Sequence, residues 1–191
     1  MKKNIILLLL LFCLLQLSAC GGMRYIYTGE LTPIPNIDID PIKEGIFLEL
    51  DESVKDTFWE YHSDLKPLEV SSWRKSLENG FNNAFKEFNI VHSKDKAQLI
   101  LKMYDANPTR TILTISQSDV KYLNTVLVGC QITYKVRLLN ARGEILKRAT
   151  GTVNSKRSGS LKYENDQIMA SAIESMYETI AKEFFQDVPK K

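Results

Sequence analysis

Val126-Leu-Val-Gly-Cys-Gln-Ile-Thr-Tyr-Lys-Val-Arg-Leu138 places Val126, Val128, Cys130, Ile132, Tyr134, Val136 and Leu138 on one side and Gln131, Thr133, Lys135 and Arg137 on the other. Period two is the signature of a strand with one buried face. The polar second row argues for an antiparallel sheet wetted on one side, since a parallel sheet is covered on both. Asn140-Ala141-Arg142-Gly143 follows as a tight turn, so Glu144 to Val153 is expected to return as the hairpin partner. Cys130 sits on the apolar row, where a free thiol behaves as a small hydrophobe.

Upstream, Leu99, Leu101 and Met103 alternate with Lys102, and Thr111, Leu113 and Ile115 resume the pattern after Asn107-Pro108. This reads as one long bent strand or two short ones, with Pro108 at a bulge, an edge or a turn. Gly45 opens a further strand through Ile46, Leu48 and Leu50. Between them, Ser71 and Ser72 cap a helix whose Trp73, Leu77, Phe81, Ala84, Phe85 and Phe88 form one stripe, opposite Arg74, Lys75, Glu78 and Asn82. Gly80 within it costs roughly 1 kcal/mol against alanine, which a close approach to the sheet would offset. A last helix starts at Asn165 or Asp166, carries Met169, Ile173, Met176, Ile180 and Phe184, and stops by Pro189. The pattern predicts an α+β two-layer sandwich: an antiparallel or mixed sheet of four to five strands with two helices on one face.

Two segments fall outside this scheme. Met23 to Lys43 carries Pro33, Pro35 and Pro41 among alternating Ile and Asp, and reads as an extended tether with Tyr25, Ile26 and Tyr27 available for docking. Asp51 to Leu68 has no clean period and reads as a loop or short extra element. Its Phe58, Trp59 and Tyr61 are the candidate partner contact, because exposed aromatics anchor interfaces.

The first residues supply the address. Lys2 and Lys3 precede the apolar run Ile5 to Leu15, and small residues lead into Cys20, the layout of a secretory signal peptide. Eleven residues rise only about 17 Å as a helix, too short for a hydrocarbon core of about 30 Å. Leu17-Ser18-Ala19-Cys20 resembles the bacterial lipoprotein lipobox at each position. The resemblance implies cleavage before Cys20, diacylglycerol on its sulfur and an acylated amino terminus, hence stable attachment to the membrane. Gly21 stands where enteric lipoproteins kept in the inner membrane have Asp, which implies the outer membrane, facing the periplasm. The expected organisation is therefore signal peptide 1–19, lipidated terminus and tether 20–44, one α+β domain 45–188 and a tail 189–191.

Composition narrows the function. Once Lys2 and Lys3 leave with the signal, the remaining Lys and Arg equal the 23 Asp and Glu, and the mature chain is neutral. A nucleic-acid partner, which needs a basic excess, is excluded. Loss of Cys13 and lipidation of Cys20 leave Cys130 without a disulfide partner. His62 and His92 have no second ligand at metal spacing, so no metal or cofactor is expected. Ser72-Trp-Arg-Lys75 and Ser93-Lys-Asp-Lys96 satisfy Ser-x-x-Lys, but the companion Ser-Asp-Asn and Lys-Thr-Gly elements of β-lactamases are absent, as is a Gly-x-Ser-x-Gly elbow. No enzymatic activity is expected.

From Gly45 to Phe185 the layout resembles the YajG-like lipoproteins and the LptE component of lipopolysaccharide export. That resemblance implies an accessory subunit of an envelope complex; LptE-like proteins insert into an outer-membrane barrel and bind lipopolysaccharide. Beyond Lys156 and Arg157 the sequence has no marked basic cluster for lipid phosphates. The alternative is a module holding a lipid or small apolar ligand between helices and sheet.

Overall fold

The computed structural model describes residues 25–62, 65–114, 126–159 and 164–186. The signal peptide, the lipobox Leu17 to Cys20, Ile115 and the tail from Pro189 lie outside them. The long hairpin is the backbone of the fold: β5 (Leu99–Thr114) pairs antiparallel with β6 (Val126–Asn140), and β6 with β7 (Ile145–Asn154). The β6–β7 turn is set by Asn140, whose side-chain oxygen accepts the amides of Arg142 and Glu144 at 2.9 and 3.0 Å, while Gly143 takes φ 81°. β2 (Ile46–Leu50) adds to β5 in parallel, so the four-stranded sheet is mixed, in the order β2-β5-β6-β7.

Two helices cover one face of this sheet. In α1 (Trp73–Ala84) and α2 (Asn165–Phe185) the apolar stripes are buried, and they meet β6 residues Ile132, Tyr134, Val136 and Leu138 in one core. Phe81, Phe85, Phe88, Tyr177 and Phe185 form a run of edge-on and tilted rings 5.1–6.4 Å apart. Each such pair adds about 0.5–1.5 kcal/mol beyond its buried area. Gly80 makes a close approach, but to the other helix rather than to the sheet: a Cβ there would meet Ile173 at 2.8 Å and Tyr177 at 2.9 Å. Pro108 sits inside a single continuous strand, with the irregularity between Met103 and Asp105. It is tolerated because β2 ends opposite Met103, leaving β5 beyond that point with one neighbour.

The helix start departs from expectation. Ser72 adopts a left-handed conformation (φ 54°) and its side chain caps nothing. The first amides are taken by Asp56, whose carbonyl accepts from Trp73 at 3.0 Å and whose carboxylate accepts from Arg74 at 3.0 Å. Arg74 in turn donates to the carbonyls of Leu50, Asp51 and Val54 at 2.7–2.8 Å. These bonds fix the turn 51–57 that sequence periodicity left open. Beyond it, β3 (Phe58–His62) and β4 (Leu65–Val70) form an antiparallel pair, and β1 (Ile26–Thr28) joins β4 in parallel. The result is a second, three-stranded sheet, ordered β1-β4-β3.

The segment expected as a free tether is extended but fastened. Leu31, Pro33, Pro35, Ile37 and Ile39 turn toward the body, while Thr32, Ile34, Asn36 and Asp38 point away. Two asparagines one turn apart on α1 donate to its carbonyls, Asn79 to Leu31 at 3.0 Å and Asn83 to Pro33 at 2.7 Å. Two glutamates one turn apart on α2 accept its amides, Glu174 from Ile34 and Glu178 from Asn36, both at 3.0 Å. Pro33 and Pro35 have no amide to satisfy, so the strap leaves few orphan groups in the helix groove. Replacing Asn79 and Asn83 together by Ala is expected to cost about 1–3 kcal/mol in urea unfolding. The strap should then be the first site of limited proteolysis; unchanged resistance over residues 30–42 would contradict this fastening.

Candidate functional site

Period two along β3 divides the expected aromatic patch. Phe58 faces inward, its ring edge-on to Trp73 at 5.9 Å. Trp59 and Tyr61 face out, 51% and 71% exposed. Phe58 is therefore removed from the patch, and the strand pairing supplies replacements that no linear pattern revealed. Trp59 and Tyr27 both flank Glu69 of β4, and Tyr25 meets Trp59 with ring centroids 5.5 Å apart. Tyr61 stacks on Trp59 at 6.4 Å with an interplanar angle of 16°. Four exposed rings thus share the outer face of the small sheet.

Its inner face closes over the far end of the β5–β6 hairpin. There Arg110, cross-strand neighbour of Cys130, is fully buried; its Nε donates to Glu60 at 2.6 Å and its backbone amide donates to the same carboxylate at 3.0 Å. Its two terminal nitrogens find no partner among the described residues. They face a cleft lined by Phe58, Leu68, Val70, Pro108 and Met169, with about 10 Å³ of room, the space of one water. Cys130 closes the same cleft. Burial pushes its thiol up to about 12, so it is a poor nucleophile at neutral pH.

The opposite face of the main sheet carries a different chemistry. Phe47, Val91, Ala97, Ile100 and Leu139 cover one end of it. Beside them Glu49 forms an ion pair with Lys94 at 2.6 Å and accepts from Lys102 at 2.7 Å, and Lys102 reaches Asp51 at 3.3 Å. Burial alone would raise Glu49, but Lys102 and Lys94 outweigh it and hold the carboxyl below its ordinary value. Arg137 lies over the Tyr104 ring, 4.6 Å from its centroid. Farther along, Gln131, Thr133, Lys135, Arg148, Thr150 and Thr152 continue a polar surface that no helix covers.

Among the described residues no cluster of three His, Cys, Asp or Glu side chains could hold a metal. His92 is exposed on the loop after α1. Lys75 of the first Ser-x-x-Lys is paired with Glu78 at 3.3 Å, while in the second stretch Lys94, which is not the motif lysine, is paired with Glu49. Lys156 binds Glu178 at 2.5 Å and Arg157 reaches Gln167 at 3.4 Å, so the basic pair is tied to α2. No helix among the described residues is long and apolar enough to cross a membrane.

No protein-family model and no curated protein matches the chain. Similar solved structures include a minor lipoprotein from Acinetobacter baumannii, 15% identical, covering 73% of this chain and 90% of that one with a TM-score of 0.46. A protein from Xanthomonas campestris is 10% identical, covering 84% and 92% with a TM-score of 0.44. Lipoprotein B from Nitrosomonas europaea is 13% identical, covering 74% and 84% with a TM-score of 0.41.

The Arg110–Glu60 pair gives a test of the cleft. Glu60→Leu alone leaves a buried guanidinium unpaired and should cost about 3 kcal/mol in chemical unfolding. Glu60→Leu with Arg110→Met should recover most of that loss. A double variant no more stable than the single would show that the pair is not a self-contained unit.

Proposed function

We propose that this chain is a non-enzymatic lipoprotein of the bacterial envelope, anchored through Cys20 in the outer membrane, facing the periplasm and serving as an accessory subunit of an envelope complex. The observation that carries the reading is the uncovered polar face of the main sheet. A solvated face needs only scattered charges, whereas this one holds a connected set, Lys94-Glu49-Lys102-Asp51 with Tyr104 and Arg137 beside it. Such an array, already positioned by the sheet, offers a partner complementary charge and a fixed register at little further ordering cost. The lipobox and the resemblance to YajG-like and LptE-like lipoproteins point the same way.

Ligand binding, the second reading, has Arg110 on its side, because two buried nitrogens without a partner among the described residues invite an acceptor. The lack of room weighs against an acyl chain there. Between helices and main sheet, Trp73, Leu77, Phe85, Tyr134, Ile173 and Tyr177 are fully packed.

Crosslinking in cells of the native protein, followed by capture and mass spectrometry, separates these readings. A reproducible envelope protein is expected, lost with Cys20→Ala and reduced by Arg137→Glu on the uncovered face. Recovery of monomer with bound lipid alone would overturn the subunit reading in favour of a binding module.

A further inference from the structure

We propose that the outer face of the small sheet is a membrane-resting surface: Tyr25, Tyr27, Trp59 and Tyr61 seat at the headgroup level of the bilayer that holds Cys20. This rests on the anchored reading above and says how the body is oriented once anchored. The argument begins with the length of the leash. A free tether ending at Gly45 would let the body stand far from lipid. Instead the chain is committed to the fold from β1, and the strap is held by Asn79, Asn83, Glu174 and Glu178 as far as Asn36. Only the links from Cys20 to Tyr25 remain to span the gap, at most about 18 Å when fully extended.

The surface at the end of that leash is aromatic. Tyr25 and Tyr27 are 53% and 57% exposed and lie on the strand into which the anchor leads; Trp59 and Tyr61 continue the row across the sheet. Exposed tyrosine and tryptophan on one face combine an apolar ring with a polar tip, the combination that favours the boundary between headgroups and acyl chains. One anchor beside a row of such rings makes a two-point attachment. It fixes rotation as well as distance, and it leaves the polar face of the main sheet, on a different sheet, free for a protein partner.

The chain has two tryptophans, which makes the test specific. Trp73 is fully buried with its indole nitrogen bonded to the Ala106 carbonyl at 2.7 Å, so quencher access reports Trp59. The mature chain from Cys20 would be coupled through that thiol to a maleimide lipid, Cys130 being buried, and placed in phosphatidylethanolamine–phosphatidylglycerol vesicles with shallow brominated acyl chains. The natively processed protein would be reconstituted in parallel. Loss of most Trp59 emission, a blue shift, and protection from aqueous iodide are expected in both, and none of these in Trp59→Phe. Emission unaffected by brominated lipid and equally open to iodide on and off vesicles would overturn the proposal, as would quenching by a soluble glycan or protein but not by lipid. If native Cys20 proves unlipidated, the anchored reading fails alone, and the coupled protein still decides whether this face seeks lipid.

Discussion

One extended segment, Ile26 to Ile42, touches every layer of the protein. It begins as β1, completing the small sheet through its parallel pairing with β4. It then runs in the groove between the two helices, giving the Leu31 and Pro33 carbonyls to α1 and the Ile34 and Asn36 amides to α2, and passes through Gly45 into β2 of the main sheet. Both ends are therefore sheet strands and the middle is a helix ligand. The Thr28 hydroxyl is bonded by Asn165 at the start of α2, and the Leu31 amide by the Ser76 hydroxyl within α1. Loosening this strap would uncouple two sheets and two helices at once.

Trp73 makes the complementary connection from inside. It opens α1, donates to the β5 carbonyl of Ala106, and receives Phe58 of β3 edge-on. Around it the turn 51–57 is held by Arg74 and Asp56, so the small sheet is positioned by the same helix end that anchors the core. The fold thus presents two faces of opposite chemistry, an aromatic one beside the leash and a charged one on the main sheet.

β6 and both helices were legible because their residues follow single periods, whereas β5 changes phase between Met103 and Asp105, so its buried face passes to Ala106 and Arg110 and not to the expected row from Thr111. Val128 to Leu138 are buried as their alternation requires, and Met169 to Phe184 as the helical spacing requires. The small sheet was not, since its strands are three to six residues long and its inner face includes Glu60 beside apolar Phe58 and Leu68. No window that short carries a period. The strap was misread for a related reason: prolines and alternating Ile-Asp describe extended chain equally well free or docked, and the docking partners are asparagines and glutamates 48 to 142 residues away. Of the site, Trp59 and Tyr61 were visible as aromatics; that Phe58 leaves them and Tyr25 and Tyr27 join them depends on strand pairing. Arg110 gave no signal, because one arginine in an alternating strand looks solvated.

Attachment to the membrane depends on processing of the chain at Cys20. The most direct measurement is the intact mass and N-terminal peptide of the protein recovered from bacterial membranes after expression from its own signal. The account predicts a chain beginning at Cys20, carrying diacylglycerol on sulfur and an acyl group on the terminal nitrogen. A chain that retains Met1, or that begins at another residue without lipid, would contradict it.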